Sequence, residues 1–377
     1  MAPRKLSVDE VPDPKIEKPT DAIIKVTGTG ICGSDLHLYD HGATMAMKPG
    51  DIVGHEAMGI VEEVGSEVSH IAPGDKVVVP FNISCGHCFM CSKSLYSQCE
   101  ETQNLRGRKG GSLFGYTHMY GGVPGAQAEY LRVPMAHFGP IRVDESVPEL
   151  AALLLSDVLP TSWQAVAYAD VEPGWTVVVY GLGPIGQMSA RIALHRGAGR
   201  VIGVDMVAER LQMAARHGIE PLDATQFGSA GDVIEAIEQL TKGRGADSVI
   251  EAVGMDSAGS APDRVLQTLK VQPDRLISLR QALGSVRRGG TVSVVGVYST
   301  WFPNFPLGDL FDKQVTIRWG QANVRRWTAE ILDVLRLGDP LDSAGLVTNQ
   351  APLDAAPAMY EAFKRKENGV VKVVLRP

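Results

Sequence analysis

The stretch that most restricts the fold begins at Gly174 and reads WTVVVYGLGPIGQMSARIALHRGAGRVIGVDMVAERLQMAARHG after that glycine. TVVVY is a short apolar, β-branched run, the texture of a strand buried on both faces of a parallel sheet. Gly181, Gly183 and Gly186 follow it directly as G-x-G-x-x-G, with Pro184 and Ile185 opening a helix. Asp205 ends the next apolar run, 24 residues after Gly181. In this order each residue has a physical task. Gly181 permits the tight turn, Gly183 lets the backbone approach a pyrophosphate, and Gly186 lets helix and strand pack closely. The phosphates then lie on a helix N-terminus. Asp205 is placed to bond ribose hydroxyls, which favours NAD over NADP. Arg210, five residues on, is the opposing feature, since an arginine can serve a 2′-phosphate. Further strands, ADSVIEAVG and GGTVSVVGVY, continue the alternation. A doubly wound parallel sheet over residues 157–300 follows.

The chain has 377 residues, too long for one core and enough for two domains. Before the doubly wound region, IIKVTGTG, GIVEEVGSEV and DKVVVP read as short strands with glycine turns, the pattern of a β-rich, barrel-type region. AEYLRVP adds another. Residues 301–377 are too short and too poor in strands to stand alone, and end in a strand, VVKVVLRP. They are expected to complete the first domain, so that domain comprises 1–156 and 301–377 and the doubly wound one is inserted.

Five cysteines are present, and four cluster as SCGHCFMCSKSLYSQC. Cys85, Cys88, Cys91 and Cys99 have the spacing C-x2-C-x2-C-x7-C, which can close tetrahedrally round one zinc ion and leaves no position for water. An odd count bunched in this way is not a disulfide framework. The fifth, Cys32, lies in GICGSDLHLYDHGATMAMKPGDIVGHE with Ser34, Asp35, His37, His55 and Glu56. Thiolate, imidazole and carboxylate are zinc ligands, although Cys32 and His55 can meet only if the chain folds back. Asp157 stands inside the apolar helical run VPELAALLLSDVLPTSWQAVAYA. It is either a cap facing solvent or a buried anion held by a cation, because burying it unpaired is costly.

Net charge is −7, without a basic patch or charge run that would point to nucleic acid or an anionic membrane. The N-terminal residues lack the apolar core of a signal peptide, and no apolar run approaches the ~18 residues of a membrane span. A cytoplasmic protein is expected.

Taken together, GICGSDLH, GHE, the four-cysteine lobe, the Asp157 helix and GLGPIG with its acidic partner resemble the zinc-containing medium-chain alcohol dehydrogenases. LSDVLPTSWQAV, GAQAEYLRVP and the long segment between Val253 and Val292 resemble the branch holding glutathione-independent formaldehyde dehydrogenase. Relatives often have a second glycine where this chain reads GAQAEY. The resemblance implies a GroES-like catalytic domain beside a Rossmann NAD-binding domain. It also implies a catalytic zinc on Cys32, His55 and Asp157, with Glu56 a close fourth group, and a structural zinc on the other four cysteines. Ser34 and His37 would form a proton relay, Ser34 taking the alcohol proton and passing it through a ribose hydroxyl. Further NAD contacts are implied at Gly33, Thr161, Val253, Val295, Val297 and Gly320.

The implied reaction is hydride transfer between NAD and a small alcohol or hydrated aldehyde. A polyol or threonine-type dehydrogenase is the alternative, and a non-catalytic NAD-binding protein a remote one. The partners are a small molecule and further copies of the chain, as a tetramer or dimer. Residues Met255–Ser260, beginning the long segment after Val253, are expected to cover the cofactor. Slow NAD release would then allow aldehyde dismutation.

Overall fold

A computed structural model describes residues 4–42, 46–103, 110–255, 276–298, 305–366 and 369–377. The chain divides into two compact units. One comprises Met1–Pro160 and Ala322–Pro377, the other Thr161–Gln321.

The first unit is built on β1 (Ala22–Ile31), β2 (Glu56–Val64), β3 (Lys76–Val79), β4 (Tyr130–Val133) and β5 (Ile141–Arg142). These strands alternate or run apolar, as their pattern requires. Ile24, Val26, Ala57, Val61, Val77, Val79 and Leu131 bury one face in a common core. β1 pairs antiparallel with both β2 and β4, and β2 with β3. Two irregularities in the β1–β2 register, at Ile23/Ile24 and Val26/Gly28, bend the pair. They lie upstream of the Gly30↔Glu56 pairing, which sets the end of β1 beside the start of β2. Gly30 is required there, because a Cβ would fall 2.2 Å from Glu56 Oε2. The helix Gly33–His41 leaves β1 at once. Cys32 and His55 are thereby brought together, by strand pairing rather than by any helix.

The run around Asp157 is not one helix. Glu149–Leu153 is helical, Leu154–Ser156 tightens to a 3₁₀ turn, and Val158–Tyr168 restarts after a bend of 62°. The break falls at Asp157, whose φ and ψ are −151° and −67°. Pro160 lies in the first turn of the restarted helix, where its missing N–H costs nothing. Leu153, Leu154, Leu155, Val158 and Leu159 are buried, so the segment is core. Among the described residues no single helix is long and apolar enough to cross a membrane.

The second unit carries a six-stranded sheet. Its strands are β6 (Thr176–Tyr180), β7 (Arg200–Asp205), β8 (Glu220–Asp223), β9 (Ala246–Glu251), β10 (Val286–Val294) and β11 (Thr316–Trp319). The order is β11-β10-β9-β6-β7-β8, parallel throughout. Val177, Val178, Val179, Val249, Ile250 and Val292 are fully buried, which explains their unbroken apolar texture. The expected limit at residue 300 falls short here. Helix Leu307–Lys313 and β11 belong to this unit, which extends to Gln321. An edge strand with three of its four residues exposed does not announce itself as part of a buried parallel sheet. At the other limit the chain enters this unit at Thr161, four residues later than the sequence reading places it.

The tail then returns to the first unit with β12 (Asn349–Pro352) and β13 (Val373–Arg376). β13 pairs antiparallel with β1, matching Ile31 to Val373. The terminal strand therefore runs directly beneath the segment that leads into Cys32.

Candidate active site

Cys32, His55, Glu56 and Asp157 come together in the first unit with their ligand atoms within 4.8 Å of one another. Cys32 Sγ stands 3.5 Å from Asp157 Oδ2, and His55 Nε2 stands 3.4 Å from the same oxygen. A tetrahedral zinc with bonds of about 2.3 Å to sulfur and about 2.1 Å to nitrogen and oxygen has S···O and N···O edges of about 3.6 and 3.4 Å. The cluster has those edges. His55, Glu56 and Asp157 are buried, and burial together with the Asp157 charge pushes the Cys32 thiol up. Several acids packed out of water need a cation among them, and the thiolate–imidazole–carboxylate set suits zinc.

Asp35 fixes two of these groups at once. Its Oδ2 accepts from the Cys32 backbone N–H at 2.8 Å, and its Oδ1 lies 3.2 Å from His55 Nδ1. The contact is an ion pair rather than an aligned hydrogen bond, and it favours a proton on Nδ1, so that a metal ion between Nε2 and Asp157 would take the Nε2 lone pair, the usual outer support of a metal-bound histidine. Burial opposes charging of His55, but Asp35 and Asp157 outweigh it and its pKa rises well above normal. Ser34 Oγ is 3.4 Å from His55 Nε2. His37, buried, lies one turn further along the same helix. The Phe81 ring stands edge-on to His55, with centroids 6.0 Å apart. The Tyr116 ring packs edge-on against Tyr120, with centroids 5.7 Å apart, and its phenol is pushed up to about 12 by burial, partly offset by His55.

The other four cysteines are also free thiols gathered at one point. Cys85 Sγ and Cys91 Sγ are 3.9 Å apart, close to the edge of about 3.8 Å expected for two thiolates on one zinc and far from a disulfide bond. Backbone N–H groups converge on the sulfurs, from Cys85 to Cys99, from His87 and Cys88 to Cys85, and from Glu100 to Cys88. Burial opposes ionisation of Cys88, yet hydrogen bonds from the backbone N–H groups of Cys91 and Glu100 draw its thiol down to about 7. Cys85, Cys91 and Cys99 are buried. His87 is exposed, 3.5 Å from the equally exposed Glu101, outside the closed tetrad.

In the second unit, Gly181 has φ +85°, and a Cβ on Gly186 would lie 1.7 Å from Gly181 O. Both glycines are therefore dictated by the strand–turn–helix geometry. At Gly183, among the described residues, only the Arg210 guanidinium, 3.7 Å from a Cβ position, is near. Pro184 begins the helix Pro184–His195. Asp205 ends β7, and its carboxylate is held by three backbone N–H groups, of Leu182 at 2.6 Å, Met206 at 2.7 Å and Val207 at 2.9 Å. Arg210 Nη1 is 3.9 Å from Asp205, too far for a direct hydrogen bond. Val253 and Val295 are half-buried at the carboxyl ends of β9 and β10. Val297 is exposed and Gly320 takes φ +142°. Glu251 Oε1 ties the turn after β9 by accepting from the N–H groups of Val253 and Gly254. Of the segment expected to cover the cofactor, residues 256–260 lie outside the described ones. Gly33 and Thr161 lie in different units, on the helices Gly33–His41 and Val158–Tyr168.

Two residues that contact the metal cluster escape the sequence reading in this role. Asp35 was legible as an acid in the first turn of a helix, three residues after its cap. Lys372 is, by sequence, only a lysine within the apolar run VVKVVL. It is fully buried, and its ammonium bonds Glu56 Oε1 as well as Ile31 O at 3.1 Å.

A β-rich unit with two cysteine-containing donor sets, joined to a dinucleotide-type parallel sheet, defines a metal-binding dehydrogenase. Comparison with known proteins narrows this. Residues 18–143 match the alcohol dehydrogenase GroES-like domain, and residues 184–272 match the zinc-binding dehydrogenase family. An uncharacterized zinc-type alcohol dehydrogenase-like protein, AdhB of Bacillus subtilis, is 42% identical over 98% of this chain and 97% of its own. The glutathione-independent formaldehyde dehydrogenase of Pseudomonas aeruginosa is 31% identical over 96% of this chain and 93% of its own. Among solved structures, the alcohol dehydrogenase TADH from Thermus sp. ATN1 superimposes with a TM-score of 0.82 at 35% identity, covering 100% of this chain and 97% of that one. The chain belongs to the zinc-type alcohol dehydrogenases of the medium-chain family, and is an oxidoreductase.

Proposed function

We propose that this enzyme transfers a hydride between NAD and a small alcohol or hydrated aldehyde. The observation that carries this reading is the Cys32–His55–Asp157 set, whose separations of 3.5 and 3.4 Å are those of a zinc tetrahedron with one corner left for substrate. Zinc there would supply Lewis acidity toward the substrate oxygen, and NAD would supply the hydride acceptor. The residues do the rest. Asp35 keeps His55 in the tautomer whose Nε2 can ligate. Ser34 Oγ stands beside the donor set and takes the substrate hydroxyl proton. His37, three residues on along the same helix face, continues the relay. The Phe81 ring, edge-on to His55, narrows the space beside it, which favours a compact substrate.

The tetrad of Cys85, Cys88, Cys91 and Cys99 would hold a second zinc whose four ligands are all protein, a structural role. The Asp205 carboxylate, oriented by three amides, would select NAD by bonding the ribose hydroxyls and repelling a 2′-phosphate. The test is turnover with NAD and with NADP over small alcohols, hydrated aldehydes and polyols, together with metal content. Turnover confined to polyols would replace the substrate class. Protein with no metal outside the tetrad and no turnover would refute the reading.

A further inference from the structure

Lys372 has no part in the chemistry just described, yet of the described lysines it alone is buried, with no exposed surface. Its ammonium joins two points. One is the carbonyl of Ile31, the residue before Cys32, at 3.1 Å. The other is Oε1 of Glu56, the residue after His55. The cation therefore clamps both segments that deliver metal ligands, from the end of the chain opposite to them in sequence. Glu56 is itself fully buried, and among the described residues its second oxygen, Oε2, has no hydrogen-bond partner. That carboxylate lies within 4.8 Å of the other three donor atoms, so it has both the reach and the free lone pairs to become a fourth ligand. A fourth protein ligand would close the corner that substrate needs.

We propose that Lys372 is the positioning residue that keeps this corner open, by committing Glu56 to an ion pair and holding it off the metal. Without the ammonium, the nearest cation left to a buried carboxylate is the metal ion itself. The charge pattern points the same way. Cys32, Asp35, Glu56 and Asp157 are four acidic groups around one divalent site, and Lys372 brings a fully buried ammonium to one of them, Glu56. The inference rests on the metal reading proposed above, and the test separates the two.

The experiment uses full-length protein with cobalt(II) in place of zinc, titrated with imidazole and followed by visible absorption. A closed thiolate tetrad does not respond to imidazole, so the response reports the Cys32 site alone. Wild-type protein should respond. Lys372→Met should bind imidazole at least about tenfold more weakly and lose cobalt to a chelator more slowly, because Glu56 has joined the metal. Lys372→Met/Glu56→Gln should regain the response, and Lys372→Arg should keep it. Glu56→Gln alone should leave the spectrum before titration unchanged. This last arm stands even if Lys372→Met fails to fold on account of an unpaired buried carboxylate. A Lys372→Met protein that responds like wild type, a double variant as blocked as the single, or a changed Glu56→Gln spectrum would each overturn the inference. Wild-type protein without any response would instead remove the metal reading and leave Lys372 a purely structural pin.

Discussion

Asp35 offers the sharpest test of how the metal cluster is organised. Its two oxygens do different work, Oδ2 accepting from Cys32 N at 2.8 Å and Oδ1 facing His55 Nδ1 at 3.2 Å. Asp35→Asn preserves size but turns one acceptor into a donor. If the amide oxygen stays on Cys32 N, the amide NH2 points at Nδ1, which must then accept. The proton moves to Nε2, the atom that faces Asp157 across 3.4 Å, and that nitrogen can no longer ligate without losing it. If the amide flips, His55 keeps its tautomer but NH2 opposes the Cys32 N–H, and a part-buried donor at the helix cap loses its partner, at a cost of about 1–3 kcal/mol. Either outcome loosens one ligand. Removing such outer support costs about 10–100-fold in metal affinity, or about 1.4–2.8 kcal/mol. The assay is competition for zinc against a chromophoric chelator at pH 7, with the four-cysteine site as internal reference. One zinc per chain should become about 10–100 times easier to remove and the other should not change, with the near-UV circular dichroism intact. Affinity within about twofold of wild type for both zinc ions would refute the argument.

Cys88→Ser should release the other zinc and lower the thermal midpoint by at least about 5 °C, since metal binding to such a loop is part of its folding free energy; two zinc ions per chain with an unchanged midpoint would contradict the closed-site assignment. Asp205→Asn keeps acceptors for the amides of Leu182, Met206 and Val207 but removes the charge, so the ratio of kcat/KM for NAD to that for NADP should fall by about tenfold or more, and an unchanged ratio would show that Arg210 governs the choice. Asp40, at the end of the helix carrying Ser34 and His37, pairs with Lys364 and Arg4, which outweigh burial and hold its carboxyl below 3.8. Its folded value is depressed, so its contribution is present above pH 3.8 and lost as pH falls through the lower, folded value. Asp40→Asn should therefore cost about 0.5–1 kcal/mol in urea unfolding at pH 7 and nothing once pH is below both values; an equal cost at both would exclude a charge effect.

Local signals were enough for much of the molecule. The G-x-G-x-x-G turn is legible because its constraints act within a few residues, down to the Cβ that Gly186 cannot carry beside Gly181 O. The cysteine tetrad is legible for the same reason, its four sulfurs lying within fifteen residues of chain. The return of the tail to the first unit is legible in part, from Ala322 rather than residue 301, since an orphan strand such as VVKVVLRP must find a sheet. Other features depended on tertiary structure. Asp157 reads equally as a helix cap, and only the break at that residue and the approach of Cys32 and His55 give it a ligand's place. β11 escaped the doubly wound assignment because an exposed edge strand lacks the apolar run of its neighbours. Lys372 reaches Glu56 across 316 positions, through the pairing of β13 with β1. No local pattern encodes such a contact, because it is created by sheet register, and register is settled only when the whole sheet has formed.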